Sequence, residues 1–137
     1  MKKARTYAGE LLRFACEKMR SVSDNVYAMH RPTAASEQMK DMVVVSLGSA
    51  VNDEGPYQTT DLRVDLVARD KGQNISDMTR LQEMSDAVFD LFPINEGRFR
   101  LTRPRLMLKG SDGEGFTMWI VYANVVINTT DRLENGR

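Results

Sequence analysis

The chain is poor in the side chains that do chemistry. Its 137 residues hold one cysteine, Cys16, and one histidine, His30. A single thiol excludes an intramolecular disulfide, and two such side chains fall short of the four ligands that a structural zinc site usually takes. A nucleophile with its base would need Cys16 and His30 to meet in space. Cys16 lies beside the apolar stripe of a helical pattern, where a buried, inert thiol is the common case. No apolar run approaches the ~20 residues of a bilayer-spanning helix. Glu10 and Arg13 break up the segment after Lys2, Lys3 and Arg5 before a signal-peptide core can form. Net charge is missing as well, because 19 basic and 19 acidic side chains cancel. Contact with nucleic acid or a membrane would then depend on local clustering, and neither a membrane nor a specific nucleic-acid sequence is an expected partner. The glycines of 110–115 precede no helix, so they form neither a Walker loop nor a dinucleotide fingerprint. No catalysis, metal or cofactor is expected.

What the chain does have is punctuated periodicity. Leu11, Leu12, Ala15 and Met19 recur at helical spacing, which predicts a helix from Ala4 to Met19. Val26 to Met29 reads as a brief strand, Thr33 to Asp41 as a polar connection, and Met42 to Leu47 as a strand built on consecutive valines. Asn52 to Tyr57 is a loop or hairpin turn. From Thr60 to Arg69 the pattern alternates, with Leu62, Val64, Leu66 and Ala68 facing a core and Arg63, Asp65, Val67 and Arg69 facing away. A second helix follows from Ser76, its expected cap, to Phe92, with Leu81, Met84, Val88 and Leu91 buried and Pro93 as a stop. Two long strands close the chain, Arg98 to Lys109 and Phe116 to Asn128. At twelve residues and ~3.3 Å each the hairpin reaches about 40 Å and is expected to project beyond its domain. The last strand is apolar on both parities, so both of its faces need cover.

These elements predict an α+β fold: one domain over 1–128, a mainly antiparallel sheet, two principal helices and a long C-terminal β-hairpin, followed by a polar tail, 129–137. Leu66, Leu81, Val88, Ile120 and Val126 are expected in its core. Two charged groups stand out. Glu83, Asp86 and Asp90 share one face of the second helix, and Arg98, Arg100, Arg103, Arg105 and Lys109 make the first hairpin strand basic, with Arg103, Arg105 and Lys109 on one parity. Three carboxylates can hold a hard cation or share a proton, but a solvated face or half of an inter-subunit ion pair is the plainer reading. The basic strand suits phosphate contact, an edge that resists unwanted pairing, or charge complementarity between subunits. The two surfaces are expected to pair between neighbouring copies.

The order of these elements, with segments such as Asn25-Val26-Tyr27 and Arg63-Val64-Asp65-Leu66-Val67, resembles the bacteriophage tail terminator or tail completion proteins, a group akin to minor tail and head-tail joining proteins. The resemblance spans nearly the whole chain and rests on no invariant motif. It implies a homo-oligomeric ring, usually a hexamer, that sits on the end of the tail tube, stops its polymerisation and offers a surface to the neck. The implied partners are further copies of the chain, a tail tube protein and a neck or head-completion protein. The implied location is the bacterial cytoplasm during assembly and then the virion tail. Two other classes fit the same residues. A non-catalytic small-molecule binding or regulatory module with a ferredoxin-like sheet would show a closed apolar pocket. An enzyme would place Cys16 or the Glu83, Asp86, Asp90 group in a cleft with a perturbed pKa.

Overall fold

The period of the sequence changes from two to 3.6 and back, and the chain follows it. In the computed structural model, which describes residues 5–32, 39–73 and 75–130, the elements run α1 (Ala8–Met19), β1 (Val26–Ala28), β2 (Asp41–Leu47), β3 (Asn52–Asp53), β4 (Tyr57–Arg69), α2 (Met78–Asp90), β5 (Ile94–Glu96), β6 (Phe99–Ser111) and β7 (Phe116–Asn128). The strands form one sheet in the order β1-β2-β4-β7-β6-β5, with β3 also beside β4. Every pairing is antiparallel except that of β1 with β2. The architecture is the α+β one expected.

One face of this sheet carries both helices. Leu62, Val64, Leu66 and Ala68 of β4 and Trp119, Val121, Ala123, Val125 and Ile127 of β7 meet Leu11, Ala15 and Met19 of α1 and Leu81, Met84 and Val88 of α2 in a single core. Helix α1 packs on β1 and β2, and α2 on β4 and β7. Helix α1 also reaches the start of β6, where its Phe14 ring lies 4.9 Å from that of Phe99, whereas Leu106 and Leu108 further along that strand are exposed. The outer part of β6 is left without a helix above it.

Several expectations change. The hairpin does not project beyond its domain, because β4 starts at Tyr57 rather than Thr60 and all of β7 pairs with it, from Tyr57↔Asn128 to Arg69↔Phe116. Val67 faces away from the helices yet is buried, in a small second cluster with Met42 and Phe116. Val126 is 37% exposed instead of buried, since it lies on the helix-free face near the end of its strand. Asp77, not Ser76, caps α2: its carboxylate accepts the Arg80 N–H at 3.1 Å, while the Ser76 hydroxyl lies 2.8 Å from that of Thr117. A carboxylate at the positive end of a helix is the better acceptor. Helix α2 stops at Asp90, two residues early, and β5, which the sequence did not announce, pairs with Phe99–Leu101 across a turn at Gly97 (φ 58°). The first helix begins at Ala8, with Ala4 outside the described residues, as are most of the Thr33 to Asp41 connection and residues 131–137.

Candidate functional site

Two of the basic residues singled out by charge, Arg100 and Arg105, lie on the side of the sheet away from the acidic ones. Glu83, Asp86 and Asp90 are exposed along the outside of α2. Arg80 Nη1 donates to Glu83 at 3.4 Å and the Gln82 amide donates to Asp86 at 2.8 Å, so two of the three carboxylates already have a partner on their own helix. Across the sheet, Arg100 stands opposite Val126 and Arg105 opposite Tyr122, positions that alternate with the core residues Val121, Ala123, Val125 and Ile127. One chain therefore does not bring its acidic and basic groups together.

The basic residues are not equivalent. Arg98 lies 3.9 Å from the centre of the Tyr7 ring and donates to the Asn128 carbonyl at 2.8 Å. Arg105 donates to the Arg103 carbonyl at 3.0 Å and to Asn124 Oδ1 at 2.9 Å, and lies 3.8 Å from Asp61. Arg100, Arg103 and Lys109 are exposed. The single parity expected for Arg103, Arg105 and Lys109 is broken by two register shifts, one between Thr102 and Arg105 and one between Leu108 and Gly110. At the first, Arg103 has φ 57° and Pro104 follows. Arginine in the left-handed region is uncommon, and an extra residue here bends the strand and reverses which face the following side chains take.

That reversal produces a surface that charge reading missed. Beyond the bulge, Leu106 stands opposite Val121 and Leu108 opposite Trp119, so both point to the helix side, whereas Met107 stands opposite Ile120 on the other face. With no helix above β6 here, Leu106, Met107 and Leu108 are 36%, 45% and 61% exposed. The signal in the sequence is this unbroken apolar triplet, set between Arg105 and Lys109.

A cleft of about 560 Å³ lies at the start of α2, lined by Lys40, Asp41, Arg69, Asp70, Lys71, Asp77, Thr79, Arg80 and Glu83. Its lining is charged and of both signs, unlike the apolar pocket expected of a small-molecule module. Asp41 and Arg80 organise its floor. Arg80 Nε donates to Asp41 Oδ2 at 2.7 Å and Arg80 Nη2 to the Val22 carbonyl at 2.9 Å, while the Ser23 hydroxyl donates to Asp41 Oδ1 at 2.5 Å. The Asp41 hydrogen bond pushes the Arg80 pKa up and keeps that guanidinium charged. These contacts join the end of α1, the start of β2 and the start of α2.

The two reactive residue types are placed apart in role. Cys16 is half-buried against the main core, and burial pushes its thiol up, with Arg20 pulling down and Glu17 pushing up further. His30 is exposed just after β1. Among the described residues no group of three or more His, Cys, Asp or Glu is placed to hold a metal ion, and no helix is long and apolar enough to cross a membrane.

No family model matches the chain, and no curated protein matches it. Among solved structures, a chain from the virion of a native gene transfer agent particle is similar, with a TM-score of 0.53 at 13% identity over 88% of this chain and 92% of that one. At that identity the likeness is one of fold, and it extends over almost the full length of both chains.

Proposed function

We propose that the chain is a structural protein of a phage-like virion that forms a ring on the end of the tail tube, ends tube polymerisation and joins the tail to the neck. The observation that carries this reading is the fold shared over 88% of the chain with a component of a gene transfer agent virion. The element order that resembles tail terminators supports the finer role. In this reading the chain is not an enzyme and needs no cofactor. It acts through surfaces, toward its own copies, a tube protein and a neck protein, first in the bacterial cytoplasm and then in the particle.

The ring closes through heterologous contacts, in which two different surfaces meet and the rotation returns to its start. The basic strand of one copy, chiefly Arg100, Arg103 and Lys109, meets acidic residues of the next, and Glu83, Asp86 and Asp90 of α2 are one such surface. Exposed ion pairs yield only ~0.2–1 kcal/mol each, so apolar area supplies most of the affinity and charge sets the register. Arg103→Glu or Asp86→Lys should weaken the oligomer in light scattering, added salt should loosen it without abolishing it, and an oligomer indifferent to both reversals would remove the charge pairing. The role itself is tested by removing the gene from cells that make the particle. Tubes of uncontrolled length without attached heads are expected, and particles with normal tails would overturn the reading.

A further inference from the structure

We infer that the outer part of β6, Arg105–Leu108, is a docking edge for the opposite sheet edge of a second copy, so that neighbouring subunits continue one sheet into the next. This rests on the ring proposed above and gives it a contact other than the α2 carboxylates, with the sheet edge beside β1 and β3. Strand β5 covers only Phe99–Leu101 of β6. Past the bulge at Thr102/Arg105, no strand among the described residues pairs with the side of β6 that faces away from β7. Half of the backbone N–H and C=O groups there point outward, and such groups seek partners.

Sheet edges are ordinarily protected by proline, charge or a bulge. Here Pro104 and Arg103 sit at one bulge and Lys109 at the other, and between them the pairing with β7 is regular from Arg105 to Leu108. That regular stretch is also the apolar one, with exposed Leu106 and Leu108 on one face and Met107 on the other. It has the backbone and the side chains of an interior strand and lacks the neighbour.

Charge selects the occupant. Two copies of this edge paired with each other would bring exposed Arg103, Arg105 and Lys109 of one copy beside the same three cations of the other, and like charges set close across strands are destabilising. An acidic edge is the better complement. On the far side of the sheet the boundary is formed by β1, and by β3 further along β4. Exposed Asp24 flanks β1, exposed Asp53 and Glu54 lie at β3, and Ala28 and Met29 are exposed at the end of β1. Arg31, the cation that follows β1, is already paired with Asp112 at 2.6 Å. A basic apolar edge and an acidic edge on opposite sides of one sheet give every copy one surface of each kind, which is what a closing heterologous contact requires.

The test is amide hydrogen exchange on the purified full chain across a dilution series, with Leu108→Lys and Met107→Lys as edge-blocking variants. Both replace exposed side chains, and unchanged circular dichroism and melting temperature would verify their folding. In the assembled state, peptides covering 105–109 and 26–29 should exchange at least about tenfold more slowly than in dilute protein, and either variant should raise the concentration needed for assembly at least about tenfold. An oligomer with unchanged exchange at 105–109, protection there without protection at 26–29, or variants that assemble like the parent would each overturn the inference. So would a chain that stays monomeric at every concentration. Mass spectrometry of purified particles separates the two failures: a chain found in particles yet unable to pair through this edge sinks the docking contact alone.

Discussion

Removing the Asp41 carboxylate should loosen the seam between both helices and β2. In Asp41→Ala the Ser23 hydroxyl and Arg80 Nε lose an acceptor held at 2.5 and 2.7 Å, and a half-buried guanidinium keeps only the Val22 carbonyl and Glu83. Hydrogen bonds to charged groups are worth ~1.5–3 kcal/mol each when well formed. The Arg80 side chain is 31% exposed, so water replaces part of the loss and the low end applies, giving about 2–3 kcal/mol in total. For 137 residues the entropy of unfolding is roughly 0.3 kcal/mol/K, so the melting temperature should fall by about 7–10 °C. Calorimetry on Asp41→Ala, Arg80→Ala and the double variant measures the pair directly. A coupling energy of at least ~1 kcal/mol is expected. A coupling below ~0.5 kcal/mol would place the pair among ordinary surface contacts and refute the reasoning.

Three further outcomes follow from single side chains. Leu81→Ala, at a fully buried position of α2, should cost ~2–5 kcal/mol in denaturant unfolding, with an m-value near the parent's. At the hairpin turn, burial alone would raise the pKa of Asp112. The Glu114 N–H at 2.7 Å, Arg31 at 2.6 Å and the Phe116 N–H at 3.1 Å outweigh it and hold the carboxyl below its ordinary value. A depressed folded pKa means that this stability is complete above the usual carboxylate range and is lost as pH falls below it. Acid titration should therefore destabilise the parent more steeply than Asp112→Asn, and parallel curves would contradict the assignment. The Cys16 thiol, raised by burial, should label slowly with a thiol reagent at neutral pH, and Cys16→Ser should assemble normally; fast labelling or lost assembly would count against an inert core thiol.

Legibility in the sequence followed locality. The clean alternation of Leu62, Val64, Leu66 and Ala68 and the three-four spacing of Leu81, Met84 and Val88 carry their own period, and all are buried where that period puts them, while Leu91, the last of the expected stripe, is only half-buried past the end of α2. What failed needed knowledge of neighbours. Val67 lies on the face that alternation turns away from the core and is buried there all the same, because strand alternation cannot tell that Met42 and Phe116 cover that face. The hairpin overhangs only when set against an average strand, and beside the 13 residues of β4 it has full cover along β7. Strand β5 is three residues long and shows no period at all. The most consequential miss was the bulge at Arg103. A one-residue shift exchanges the faces of everything after it, so Arg103, Arg105 and Lys109 share no parity and the apolar triplet Leu106-Met107-Leu108 turns Leu106 and Leu108 to the helix side.

The position of the chain in the particle tests the central claim most directly. Electron microscopy of purified virions carrying a tagged copy of this chain should show one ring of label at the junction of tail tube and neck, and nowhere else. Label spread along the tube, label at the distal tip, or particles free of the chain would contradict the account.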